Sequence, residues 1–173
     1  MTTCSRWFMV LVLMLGWGVS GCAMFGSGNG VQRFAVEASQ LNRLEVYYTP
    51  AMGQATTHLT LMGSGHLRIQ HGTSPLIGND FSQDVKDTHW TDLSVDQLTV
   101  EPAEMCRVFQ AFVDRGLVRE KPAPDFLGSA ERGGPFARVL GTLNNTVIAR
   151  DVLEPELLSL IRELIKSFEQ SAP

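Results

Sequence analysis

Apolar and polar residues alternate with a period of two through the first half of the chain. Leu44, Val46 and Tyr48 alternate with Arg43, Glu45 and Tyr47, the pattern of a half-buried strand. Thr49-Pro50-Ala51-Met52-Gly53 breaks it. Leu59 and Leu61 then alternate with His58, Thr60 and Met62, and after Gly63-Ser64-Gly65 the chain resumes with Leu67 and Ile69 between His66, Arg68 and Gln70. Two alternating runs about a glycine-containing three-residue loop predict a hairpin with a core face of Leu59, Leu61, Leu67 and Ile69. This register puts His58 near Gln70 on the opposite, solvent-exposed face. The polar stretch His71 to Thr91 predicts a long loop, and Trp90, Leu93 and Val95 predict a further strand.

The period then changes. Glu101-Pro102 opens a helix, because proline suits the first helical turn and Glu101 and Glu104 favour its positive end. Met105, Val108, Phe109, Phe112 and Val113 form its buried stripe, and Gly116 is placed to end it. Residues 119–135, with three prolines and an adjacent glycine pair, predict a second long loop. A second hairpin follows, Phe136 to Leu143 and Thr146 to Arg150 about Asn144-Asn145, since Asn tolerates positive φ. Its buried face is left open between Val139, Leu143 and Ile148 on one side and Leu140, Val147 and Ala149 on the other. Glu154-Pro155-Glu156 starts the last helix, with Leu157, Leu158, Ile161, Leu164, Ile165 and Phe168 as its apolar face.

The predicted order is strand, hairpin, strand, helix, hairpin, helix. It gives an α+β fold: an antiparallel sheet with two helices packed on one face, a two-layer sandwich. The arrangement Leu-x-Leu-x-Gly-x-Gly-x-Leu-x-Ile from Leu59 to Ile69, followed by a helix ending Phe-Val-Asp-Arg-Gly, is similar to small envelope domains of unassigned activity. That likeness transfers no functional residue.

The N-terminal segment has a different logic. One positive charge, Arg6, precedes the apolar run Trp7 to Leu15, and Gly16 to Val19 continue it. A positive start, a short apolar stretch and a small-residue ending make a secretory signal. A membrane-spanning helix needs about 20 apolar residues, whereas Gly16, Gly18 and Gly21 interrupt this run. The ending Val19-Ser20-Gly21-Cys22 resembles the lipobox of bacterial lipoproteins. That resemblance implies cleavage before Cys22, a diacylglycerol on its sulfur and acylation of its new amino group. Ala23, rather than Asp, after the cysteine leans towards the outer membrane in the sorting rule of enteric bacteria. The expected organisation is residues 1–21 as signal peptide, 22–33 as lipidated cysteine and flexible tether, and 34–173 as a single α+β domain.

Composition sharpens this picture. The 173 residues carry 18 acidic and 14 basic side chains, and a net charge of −4 without a basic stripe argues against nucleic-acid binding. Processing would remove Arg6 and Cys4 and convert Cys22 to a thioether, leaving Cys106 as the only thiol. An acidic body on an acylated stem should stand off an anionic membrane surface. The membrane, through the anchor, is the expected partner, together with an envelope protein or glycan; the segments 71–90 and 119–135 are the places to look for that contact.

Candidate chemistry is sparse. His58, His66 and His71, with a loop carboxylate, would be the ligands of a metal-assisted hydrolase, the alternative to a non-catalytic binding or structural role. Their His-x₇-His-x₄-His spacing matches no established zinc pattern. Asp80, Asp84, Asp87, Asp92 and Asp96 lack the spacing of a calcium loop. Cys106 falls on the edge of a helical stripe, where a small buried hydrophobe is expected. No cofactor motif is present, and no catalytic residue is assigned.

Overall fold

The computed structural model describes residues 34–51, 54–73, 90–118 and 134–170. Among these residues six strands and two helices follow in the order β1 (Arg43–Thr49), β2 (Thr56–Met62), β3 (His66–Thr73), β4 (Thr91–Thr99), α1 (Pro102–Asp114), β5 (Phe136–Leu143), β6 (Thr146–Val152) and α2 (Pro155–Glu169). The strands form one sheet in the order β4-β3-β2-β1-β5-β6, and every neighbouring pair is antiparallel. The chain lays down β1 to β4 as a meander, crosses by α1, and adds β5 and β6 to the free side of β1. This is the expected α+β architecture.

One sheet face carries Leu44, Val46, Leu59, Leu61, Leu67, Ile69 and Val139, which join Met105, Phe109 and Phe112 of α1 and Leu157 and Ile161 of α2 in one buried cluster. The first hairpin therefore buries the face its alternation predicts. The second hairpin buries Val139, Leu143 and Ile148, whereas Val147 is 79% exposed. Its turn residues Asn144 and Asn145 have φ of 47° and 64°, the positive pair that a two-residue hairpin of matching twist requires. Gly141 of β5 (φ 153°) lies so close to β1 that a Cβ there would stand 2.0 Å from the Arg43 carbonyl oxygen.

Both helices begin with proline in the first turn and lack a side-chain cap. The end of α1 is closed by its backbone: Gly116 N–H donates to Val113 O at 2.9 Å and Leu117 N–H to Phe112 O at 3.0 Å. With Gly116 at φ 98° and Leu117 buried, this is the Schellman arrangement. Arg150 of β6 donates to the carbonyls of Gly116 and Leu117 and pairs with Glu154. One guanidinium thus ties the end of α1 to the start of α2.

Two expectations are corrected. β1 is not half-buried: Tyr47 and Thr49, on the face away from the helices, are as buried as Val46 and Tyr48. β3 continues through His71 to Thr73, so the loop starts later than its polarity suggested. β4 (Thr91–Thr99) is the further strand expected from Leu93 and Val95; both are exposed, while Leu98, opposite Leu67, packs against the core. Leu93 and Val95 alternate on one face, and Leu98 falls on the other.

The N-terminal stretch of the domain is clasped. Gln110 Oε1 accepts from Val36 N–H at 2.8 Å and its Nε2 donates to Phe34 O at 3.3 Å. Asn144 accepts from Glu37 N–H through Oδ1 and donates through Nδ2 to Ala35 O. Phe34 and Val36 pack against the main core.

Candidate functional site

The chemistry of the described residues gathers on the sheet face away from the helices. Registers align one row across all six strands: Val95, Gln70, His58, Tyr47, Arg138 and Asp151. Alternation places these side chains together because each occupies the same phase of its strand's period of two. Within the row Gln70, His58 and Tyr47 are in side-chain contact, and Arg138 and Asp151 form a separate pair. Arg138 pairs with Asp151 through two bonds, of 2.6 and 3.1 Å, the planar fork geometry that makes such pairs strong.

At its centre the His58 ring stacks on Tyr47, with centroids 4.2 Å apart and planes 8° from parallel. Trp90, just before β4, lies 6.0 Å from His58 and 6.3 Å from Tyr47 with its plane within 15° of both. Such offset aromatic pairs add about 0.5–1.5 kcal/mol beyond the area they bury. Tyr47 and Phe136 form a second small apolar cluster here, with Trp90, Leu140 and Leu153 against it.

One row along the strands lies Glu45. Its Oε2 accepts from the Tyr47 hydroxyl at 2.9 Å and stands 3.4 Å from His58 Nε2; its Oε1 meets Arg43 at 2.8 Å. The His58 imidazole is the largest influence on this carboxyl. Burial opposes it, the Tyr47 hydroxyl and Arg43 reinforce it, and together they lower the Glu45 pKa to about 2. Glu45 is therefore a carboxylate at neutral pH, and His58 must present a proton on Nε2 towards it. His58 Nδ1 and Gln70 Oε1 are 2.9 Å apart. That contact is satisfied by an imidazolium, or by a neutral ring once the Gln70 amide is turned over.

His58 Nε2 is shielded from solvent and has no aligned hydrogen bond; what holds it is the charge of Glu45. His58 is only 9% exposed, which corrects its expected place on a solvated face. The sheet's outer face carries a mini-core, so alternation there marks a second buried layer.

The other candidate ligands lie elsewhere. His66 is exposed at the β2–β3 turn, four residues along β3 from the partner of His58, a separation of about 13 Å at ordinary strand rise. His71 is on the helix-facing side, where Nδ1 contacts Thr57 Oγ1 at 3.2 Å and Nε2 lies 3.8 Å from Glu169 at the end of α2. The three imidazoles do not converge, and no group of three or more His, Cys, Asp or Glu among the described residues is placed to hold a metal ion.

Cys106 is half-buried with its thiol 3.5 Å from Val36 O, so it packs beside the clasped N-terminal stretch. Asp96 is exposed on β4. Cys22, Asp80, Asp84, Asp87 and most of the two candidate contact loops lie outside the described residues. The Glu45–His58–Tyr47 contacts had one partial signal in the sequence, the His58–Gln70 register. The other partners depend on β1 lying next to β2, which local pattern does not specify. No protein-family model matches the chain, and no curated protein matches it.

Proposed function

We propose that this chain is a bacterial envelope lipoprotein, held to the membrane through Cys22, whose domain serves a non-catalytic binding or structural role. The observation that carries the reading is the sequence Val19-Ser20-Gly21-Cys22 behind an apolar run with a single leading positive charge. Each buried CH₂ of an acyl chain contributes about 0.8 kcal/mol, and more than one chain makes attachment durable. The outer membrane, on its periplasmic side, is the favoured location because Ala23 follows the cysteine.

The clasp at the start of the domain supports the same reading. A tether attached at Phe34 would meet a segment held by Gln110 and Asn144, so tension from an anchor would be shared between α1 and the β5–β6 turn. A binding role draws support from the outer sheet face, where fixed charge pairs and stacked rings give a rigid platform beside the half-buried Trp90.

Expression of the full chain in a bacterium, followed by detergent partition and intact-mass measurement, tests the anchor. The expected product starts at Cys22 and carries diacylglycerol and an acyl group, whereas Cys22→Ser should carry neither and should retain its apolar N-terminal segment. A product that retains Met1 and an unmodified Cys22 thiol overturns the proposal.

A further inference from the structure

β4 ends the sheet with one long side unpaired by any described residue. Proteins blunt such edges with charged side chains, lysine above all, and with proline, bulges, short strands or a covering element. β4 has nine residues, Thr91–Thr99, none of them Pro, Lys or Arg, and its only charges are the carboxylates of Asp92 and Asp96. Residues 93–97 are all exposed, and Leu93 and Val95 expose 44% and 39% of their surface. The only register shift against β3 is between His71 and Thr73, at the start of β4. The other edge, β6, is shorter and engages its charged residues: Arg150 binds the end of α1 and Glu154, and Asp151 binds Arg138.

β4 also admits a register against a second copy of itself that opposes no two like charges, with Asp92 then facing Leu98. A two-fold axis through Val95, the midpoint of the strand, overlaps all nine residues with those of a second β4 running antiparallel. Val95 then faces Val95, Leu93 faces Gln97, and Ser94 faces Asp96, a hydroxyl donor against a carboxylate. Centring the axis on Asp96 instead would oppose two carboxylates, which is destabilising for directly facing residues. An axis perpendicular to the sheet keeps both helix layers on one side, so each helix face stays covered by its own sheet. Behind the strand, Val95 lies opposite Gln70 of β3, whose side chain contacts His58 of β2.

We propose that β4 is a homodimer interface, pairing antiparallel with β4 of a second copy of this chain about Val95 and making the two sheets continuous. Strand pairing alone buries less than about 1,200 Å², so association falls in the weak, concentration-dependent class.

The test uses the full chain in detergent micelles. Sedimentation should show dimer at roughly 100 µM. Val95→Lys, which sets two ammonium groups face to face, should raise the dimer dissociation constant at least about tenfold and leave thermal unfolding unchanged. In a Cys106→Ser background, Val95→Cys should form a disulfide-linked dimer on mild oxidation, because directly opposed residues have Cα atoms about 4.5–5.5 Å apart, within disulfide reach. Ala149→Cys, the exposed midpoint of β6, should crosslink no more than the Cys106→Ser parent. A chain that stays monomeric at that concentration overturns the proposal, as does a dimer indifferent to Val95→Lys or crosslinking equally through Ala149→Cys.

Discussion

Nε2 of His58 lies 3.4 Å from Oε2 of Glu45, between neighbouring central strands on the sheet face away from both helices. The carboxylate is further held by Tyr47 and Arg43, and its pKa falls from 4.5 to about 2. A carboxyl depressed in the folded state contributes stability that is complete above its unfolded pKa and is lost as pH falls through the folded one. Glu45 should therefore stabilise the fold fully above about pH 4.5 and cease to do so near pH 2. Glu45→Gln should cost about 1 kcal/mol near pH 7 once solvent screening is allowed for. The gap from the parent should close on acidification. Urea unfolding of both chains across this range checks it; a gap that persists undiminished near pH 2 would assign the effect to packing.

His58 is the centre of the same contacts. His58→Ala removes a stacked ring, leaves the Gln70 side chain without its buried partner and strips Glu45 of its imidazole neighbour. The expected loss is about 3 kcal/mol, combining a cavity with unsatisfied polar groups. His58→Phe keeps a ring against Tyr47 and should lose about half as much. Equal losses in chemical denaturation would mean that only the polar contacts matter.

Gly141 has no room for a side chain. A Cβ would stand 2.0 Å from Arg43 O, at φ 153°, between the two strands that join the halves of the sheet. Gly141→Ala should destabilise by about 3 kcal/mol or more, since backbone strain and a steric clash act together. Thermal unfolding checks this, and a shift no larger than that of an exposed substitution such as Val147→Ala would contradict it.

Adjacent turn residues should respond in opposite directions. Asn144 bonds residues 35 and 37 through its side chain and accepts a positive φ, so Asn144→Ala should cost about 2 kcal/mol. Asn145 has φ 64° and is exposed. Asn145→Gly removes the strain at that φ and should be neutral or stabilising by up to about 0.5 kcal/mol, as Asn-Gly suits this turn. Hydrogen exchange of the amides of Val36 and Glu37 should accelerate in the first variant only.

Much of this fold was legible before any coordinates. The Leu59–Ile69 hairpin has one buried and one more polar set of positions, and its three-residue loop fixes the register, so the core face followed. The helices were equally clear, since Glu-Pro starts, apolar stripes and Gly116 are local signals. The second hairpin was ambiguous because both of its faces carry aliphatic residues. That is settled only by β1, where Val139 comes to lie opposite the core residue Val46. His58 was misplaced for a related reason: polarity suggests solvent, yet a polar residue is equally at home where a ring and a carboxylate already wait for it.

The amino-acid sequence by itself determined the identity of the elements, the core-facing residues of the first hairpin and both helices, and an N-terminus resembling a lipoprotein signal. All of these depend on residues within a few positions of one another, where period, cap and turn chemistry act directly. Only the tertiary structure decided that β1 sits between β2 and β5, buries both faces and draws Glu45, Tyr47 and His58 together. Strand neighbours 87 to 99 residues apart in the chain are chosen by the total burial and hydrogen bonding of the assembled sheet, a quantity that no single segment contains.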